Sequence, residues 1–367
     1  MATQGRLLSL DVMRGITIAG MIMVNNPGSW QYVYTPLRHM PWDGLTPTDL
    51  VFPFFMFIMG VSMFLSLKKY DFKLSRESVR KILKRTALIF LVGFGLNLFG
   101  HLCRNGFTGF ENLRILGVMQ RLALAYGFGS LIGLSINHKY LLHVAGGILL
   151  FYAVLLTATD SLTLSESNLI AVIDRAILGE THMYHDTLAD GTRIAFDPEG
   201  LLSCIGSIGH VLLGFYAGRI ILMSKKDNER IIRQLFIYGT ILLFAGLLLN
   251  YACPINKKIW SSTFALTTCG FASQFLALLI WIIDINKKRK WSLFFESFGI
   301  NPLYLYVQGS MLSTVFSLIG VTRFMTDNLF FPLFGNYGGS LAWAIFFVTI
   351  NWIPGYFLYK KQIYIKI

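Results

Sequence analysis

Charge is scarce in this chain. Only 14% of its 367 residues are charged, where a soluble domain carries roughly 25%. With 54% hydrophobic residues and a mean hydropathy of +0.57, the deficit excludes an ordinary soluble domain and puts the chain in the membrane class. Cysteine is nearly absent as well. Cys103, Cys204, Cys253 and Cys269 show no CxxC or Cys/His ligand spacing, so they read as apolar filler and leave no metal site. No P-loop, GxGxxG, GxSxG or HExxH string occurs. No internal repeat suggests an inverted-repeat transporter. The first apolar run lacks an Ala-x-Ala-type cleavage site, carries Asp11 and Arg14 and is followed by more apolar runs, which is expected of a span and not of a cleaved leader.

What is present is a series of apolar runs long enough to cross a hydrocarbon core of roughly 30 Å. The pattern predicts an all-α, polytopic helix bundle of about ten spans, at 8–26, 47–67, 83–100, 113–135, 140–157, 200–222, 231–250, 260–284, 296–318 and 340–359. Residues 1–367 are expected to form one domain. The net charge of +13 would suit nucleic acid, but the cations sit in short loops. Lys68, Lys69, Lys73, Arg76, Arg80, Lys81, Lys84 and Arg85 follow the second run. Arg219, Lys225, Lys226, Arg230 and Arg233 surround the end of the sixth, Lys287–Lys290 follow the eighth, and Lys360, Lys361 and Lys366 form the tail. Counted through alternating spans, all fall on one side with Arg6 and Lys139. The long connection 158–199, on the other side, is acidic. The positive-inside rule then places both termini in the cytoplasm and the loops 27–46 and 158–199 outside, an N-in/C-in arrangement.

Ionisable groups inside spans are costly and are usually paired or functional. Asp11 and Arg14 share a helix face, either as a structural ion pair or with Arg14 turned to a ligand phosphate. Arg121 lies inside the fourth run, near Arg114 and Gln120. Its partner is an anionic ligand or a carboxylate such as Asp11 or Asp49. Asn25 ends the first run before Asn26-Pro27-Gly28, either as helix punctuation or as an amide that hydrogen-bonds an oxyanion. His39 stands in Leu37-Arg38-His39-Met40-Pro41-Trp42-Asp43-Gly44-Leu45-Thr46. Trp42 offers an interface anchor or a sugar-stacking face. Asp43 and Asp49 are carboxylates able to orient the imidazole. Thr46 or Thr48 can cap the second helix, with Pro47 in its first turn.

Three stretches carry a family resemblance. They are Leu10-Asp11-Val12-Met13-Arg14-Gly15, then Met23-Val24-Asn25, then His39-Met40-Pro41-Trp42-Asp43-Gly44-Leu45-Thr46-Pro47-Thr48-Asp49-Leu50-Val51-Phe52-Pro53. With Arg114-Ile115-Leu116-Gly117-Val118-Met119-Gln120-Arg121-Leu122, Asp197-Pro198-Glu199-Gly200 and Gly299-Ile300-Asn301-Pro302, the sequence resembles the heparan-α-glucosaminide N-acetyltransferase family and its bacterial relatives. The resemblance implies a multi-pass protein of the bacterial inner membrane. It would move acetyl from cytosolic acetyl-CoA to the amine of a glucosamine-type sugar on the periplasmic side. It aligns His39 with the family's active histidine and Asn25 with its asparagine, makes a homodimer an expectation, and requires no metal. Arg14, Gln120 and Arg121 are then candidates for the coenzyme passage, with Trp42, Asp43 and Asp49 for the sugar. Lysines and arginines of 68–85 are candidates for the nucleotide phosphates. His39 can serve as general base or as a nucleophile passing through acetyl-imidazole. A membrane O-acyltransferase acting on a glycan hydroxyl, and an amino-sugar transporter, remain the competing readings.

Overall fold

A computed structural model describes residues 7–188, 190–224 and 227–365. Arg6, Lys225, Lys226 and Lys366, counted above among the loop cations, lie outside the described residues. Among the described residues the regular structure is helical, apart from one small hairpin, β1 (His185–Thr187) paired antiparallel with β2 (Arg193–Ala195), and an isolated bridge between Asp43 and Asn256. The helices are α1 (Leu8–Val24), α2 (Pro47–Leu67), α3 (Arg76–Asn105), α4 (Val118–Ser135), α5 (Leu141–Ala158), α6 (Leu169–Leu178), α7 (Cys204–Met223), α8 (Asn228–Leu249), α9 (Ser262–Leu279), α10 (Leu293–Ile300), α11 (Pro302–Leu318), α12 (Val321–Met325) and α13 (Phe331–Lys360). Among the described residues, seven helical segments are long and apolar enough to cross a membrane. They are built on α2, α3, α5, α7, α8, α9 and α12–α13. Helices α1 and α11 have 17 residues each, and α4 carries Gln120 and Arg121 in its first turn.

At several crossings the helices meet backbone to backbone. A Cβ on Gly15 would lie 1.7 Å from the Phe295 carbonyl oxygen, and one on Gly299 1.9 Å from that of Asp11, so α1 and α10 touch main chain to main chain. Gly60 and Gly214 do the same for α2 and α7. Small residues permit this approach, which adds van der Waals contact between the helices.

Several boundaries differ from expectation, α3 for one running from Arg76 to Asn105 against an expected 83–100, and three of the differences have a local reason. Helix α4 starts at Val118, not near 113, because Gly117 is fully extended (φ 169°, ψ −173°). The Asn97 side chain holds the preceding strand-like stretch by donating to the carbonyls of Arg114 and Leu116 at 2.9 and 3.1 Å. The expected span 296–318 is broken at Asn301 (φ −122°, ψ 56°). Pro302 has no N–H to continue the ladder and disfavours helical geometry in the residue before it. The last helix begins at Phe331 and kinks at Gly335, whose φ of 69° suits only glycine well. The stretch 158–199 is also more than a loop. It folds into α6 and the hairpin over a small core of its own, in which Ile170, Ala171, Ile194 and Phe196 pack on Tyr152, Leu156 and Ile259.

Candidate functional site

The site begins with the entry to α2. Thr46 is the N-cap and Pro47 opens the first turn. Asp49 turns back, and its Oδ2 accepts from Thr46 N (3.2 Å), Thr46 Oγ1 (2.9 Å) and Met40 N (3.1 Å). The Arg38 carbonyl lies 2.7 Å from the same hydroxyl and shares its single proton. The loop 38–46 is thereby folded over the helix end, and His39 is delivered to the other carboxylate oxygen. His39 Nδ1 lies 2.6 Å from Asp49 Oδ1. At that distance a proton lies between them, so in the neutral ring Nδ1–H donates and Nε2 is left with the lone pair. Asp49 is buried, while the imidazole is 40% exposed.

A third group comes from far along the chain. Lys257 Nζ is 3.0 Å from His39 Nδ1 and 3.3 Å from Asp49 Oδ1. It belongs to the α8–α9 connection, which is clamped to the histidine loop. Gly44 N donates to the Ile255 carbonyl at 2.8 Å, and Asn256 Nδ2 donates to Asp43 Oδ1 at 3.2 Å. Burial pushes the Lys257 ammonium below the ordinary lysine value, and the Asp49 carboxylate offsets part of that push. The two candidate carboxylates therefore divide: Asp49 holds the imidazole, and Asp43 holds the loop that brings Lys257. Trp42 anchors the same loop to the segment above, donating from Nε1 to the Leu162 carbonyl (2.8 Å) with its ring edge-on to Phe196.

The remaining sequence candidates lie elsewhere. Asn25 is the C-cap of α1, its backbone N–H donating to the Met21 carbonyl at 3.2 Å, and it is exposed, with no side-chain hydrogen bond among the described residues. Gln120 folds back on its own approach strand, donating to the Ile115 carbonyl at 2.9 Å. Arg121 is fully buried, donates to the Pro198 carbonyl and Ser203 Oγ, and stacks 4.8 Å over Trp260. Neither Asp11 nor Asp49 is its partner. Arg114 binds Asp197 in two contacts (2.9 and 2.6 Å) and Glu199 at 2.6 Å. The Arg-Ile and Asp-Pro-Glu-Gly motifs thus meet each other and tie α4 to the segment before α7.

At the opposite end of α2 lies a cavity of about 980 Å³, at the top of the roughly 300–1,000 Å³ range usual for small-molecule sites. Arg14, Lys68, Lys287 and Arg289 line it against Asp11 and Asp284, an excess of positive charge suited to a polyanion. Arg14 donates to Asp11 Oδ1 (2.9 Å), the Gly299 carbonyl (3.2 Å) and Ser62 Oγ (2.8 Å). It is thus both half of an ion pair and part of the cavity wall. From Ser62 to Asp49 is about 20 Å of helix. Between the two ends, Ile18, Met21, Phe52, Phe55, Leu122 and Tyr306 line an apolar crevice of only about 10 Å³.

The model of the family described as heparan-alpha-glucosaminide N-acetyltransferase, catalytic, matches residues 6–246. The chain belongs to this family. Heparan-alpha-glucosaminide N-acetyltransferase of Homo sapiens is 28% identical over 99% of the chain, and that of Mus musculus 27% over all of it. The chain spans about 60% of the length of these curated relatives.

The match to the heparan-alpha-glucosaminide N-acetyltransferase family covers His39 and Asp49 but stops short of Lys257. Lys257 was not singled out from the sequence. A pair of lysines between two apolar runs carries no signal there, and the contacts of Gly44 with Ile255 and of Asp43 with Asn256 bring Lys257 to His39. Lys287 and Arg289 were legible only as topology-setting cations.

Proposed function

We propose that the chain is a transmembrane acetyltransferase that takes acetyl from cytosolic acetyl-CoA and places it on the amine of a glucosamine-type sugar at the far side of a bacterial inner membrane. In this reading one domain crosses the bilayer ten times, α1, α4 and the broken α10–α11 pair completing the seven more apolar spans. Both termini and the cation-rich loops face the cytoplasm. The homodimer is carried over from the family alone.

One observation carries the reading: a histidine whose Nδ1–H is fixed on a buried carboxylate, leaving Nε2 free at the end of the bundle opposite a basic cavity. The cavity suits the coenzyme's nucleotide, with Arg14, Lys68, Lys287 and Arg289 toward its phosphates. The thioester reaches His39 along α1 and α2, where the side chains of the narrow crevice part to admit the pantetheine arm. As a base, His39 Nε2 takes a proton from the sugar amine while the amine nitrogen attacks the thioester carbonyl. The C–S bond breaks, and the imidazolium returns the proton to the departing thiolate. As a nucleophile, Nε2 itself attacks the thioester carbonyl and the C–S bond breaks; the amine nitrogen then attacks the acetyl carbon, the C–Nε2 bond breaks, and the freed Nε2 takes the amine's proton. Asp49 balances the imidazolium in both routes. Asn25, at the C-terminal end of α1, is the proposed donor to the carbonyl oxygen, and Trp42 with Asp43 borders the sugar.

The test is an acceptor screen with purified protein in nanodiscs, labelled acetyl-CoA, and amine and hydroxyl sugars, read by mass spectrometry. N-acetylglucosamine formation that disappears in His39→Ala is expected. O-acetyl products alone, or full turnover by His39→Ala, would overturn the proposal. Exchange of label between acetyl-CoA and free CoA without sugar separates the nucleophile from the base.

A further inference from the structure

The α8–α9 connection is built to hold one side chain in place. Asn256 is tied at four points. Its Nδ2 donates to Asp43 Oδ1 (3.2 Å) and its N to Ser261 Oγ (3.0 Å). Its Oδ1 accepts from Ile259 N (3.1 Å) and its carbonyl from Ser261 N (3.0 Å). Trp260 follows in left-handed conformation (φ 48°) with its ring buried among Phe52, His210 and Arg121. The residue carried by this fixed turn is Lys257, and its ammonium sits against the Nδ1 side of His39.

That placement poses a chemical question. A buried carboxylate by itself favours a protonated imidazole, and a protonated imidazole has no lone pair on Nε2 for either route above. We propose that Lys257 is a positioning residue of the acyl-transfer site, which pins the Asp49 carboxylate and, by its charge, keeps His39 from holding a second proton. It touches no reacting atom, because it lies on the Nδ1 side of the ring. The inference rests on the reading of His39 as the reacting imidazole.

The other charged groups near the ring do not perform this task. Arg38, on the histidine loop, spends its guanidinium on the carbonyls of Val33 (2.8 Å) and Gln31 (3.1 Å). Asp43 is bonded to Asn256. Lys258, the next residue, turns away to Asp186. Glu199 is paired with Arg114, and Arg121 lies beneath Trp260. Among the described residues, Asp49 and Lys257 are the charged groups in contact with the imidazole, and together they present it with an almost neutral neighbour.

The experiment measures kcat and KM for acetyl-CoA and glucosamine from pH 5.5 to 9, on the full chain in nanodiscs. The variants are Lys257→Met, Lys257→Gln, Lys257→Arg and His39→Ala. Without the ammonium, the acidic limb of the kcat profile moves to higher pH by about 1–2 units, the size of effect an adjacent charge produces. KM for acetyl-CoA stays within about twofold, because the coenzyme's charges dock at the other end of the bundle. Lys257→Arg keeps the charge and restores the limb. Lys257→Gln keeps a donor to Asp49 and loses only the charge, so it carries the test if Lys257→Met does not fold. A uniform fall in kcat with an unmoved limb would reduce Lys257 to a structural tie and overturn the inference. Wild-type behaviour of both neutral variants would also overturn it. An active His39→Ala would instead sink the reading of the histidine, so the two failures are distinguishable.

Discussion

Replacing Asp49 by Asn is the most informative single change, because the two oxygens of this carboxylate do different work. Oδ2 accepts from three donors of the histidine loop, while Oδ1 meets His39 and Lys257. An asparagine places its carbonyl oxygen where the three donors are, so its NH2 group faces His39 Nδ1. The ring must then accept at Nδ1, its proton moves to Nε2, and the lone pair that serves either route is lost. The same tautomer error in a serine-protease triad lowers kcat about 10⁴-fold. His39 is 40% exposed and can tilt away, so a loss of about 10³-fold is expected, about 4 kcal/mol of barrier. Lys257 also loses its counter-ion. Breaking a fully buried pair costs about 3–5 kcal/mol. Lys257 is 22% exposed and regains some hydration, so about 1–3 kcal/mol is expected here. The assay is kcat with acetyl-CoA and glucosamine, together with Tm in the same detergent. A kcat within tenfold of wild type would refute the tautomer argument, as would an effect confined to KM.

Two further outcomes follow from other parts of the structure. Asp174 on α6 is buried. Its Oδ1 accepts from Leu201 N and Leu202 N, and its Oδ2 has no partner among the described residues. Burial, opposed by those two N–H groups and aided by Asp197, pushes its carboxyl up to about 6, from an ordinary value of about 4. The folded form holds the extra proton between those values, so stability falls as pH rises through that window and levels off above it, by about 3 kcal/mol in all. Proteolytic nicking within 160–200 should therefore be slower at pH 4.5 than at pH 7.5, and Asp174→Asn should abolish the difference. Faster nicking at the lower pH would contradict this. At the other end of the bundle, Lys287→Ala and Arg289→Ala should each raise KM for acetyl-CoA about tenfold, the worth of one charge-assisted contact of roughly 1.5 kcal/mol, with kcat unchanged and the effect shrinking in high salt. An unchanged KM would remove the cavity from donor binding.

The helices were legible because apolar runs of about 20 residues mark segments long enough to cross a membrane, and seven of the described helical segments are that long and apolar. Their breaks were not, because they depend on single residues. Pro302 interrupts a run that is apolar on both sides, and Gly117 ends a helix whose apolar pattern continues upstream. The histidine string was legible as chemistry, and the Thr46–Asp49 spacing already contained the capping geometry that delivers His39. Arg121 was legible as a buried charge in need of a partner, and Arg114 only as its neighbour on the same run. Their partners, Asp197, Glu199 and the Pro198 carbonyl, lie some 80 residues away, beyond any local pattern. Lys257, more than 200 residues from His39, shows the same limit most clearly.

The most direct measurement is vectorial transfer in sealed vesicles holding uniformly oriented protein, with labelled acetyl-CoA confined to the face that bears the Lys287–Lys290 loop and glucosamine confined to the other. Labelled N-acetylglucosamine should accumulate in the sugar compartment with wild type and be absent with His39→Ala. Product formed only when both substrates share one compartment would contradict a thioester that crosses the bundle to reach His39.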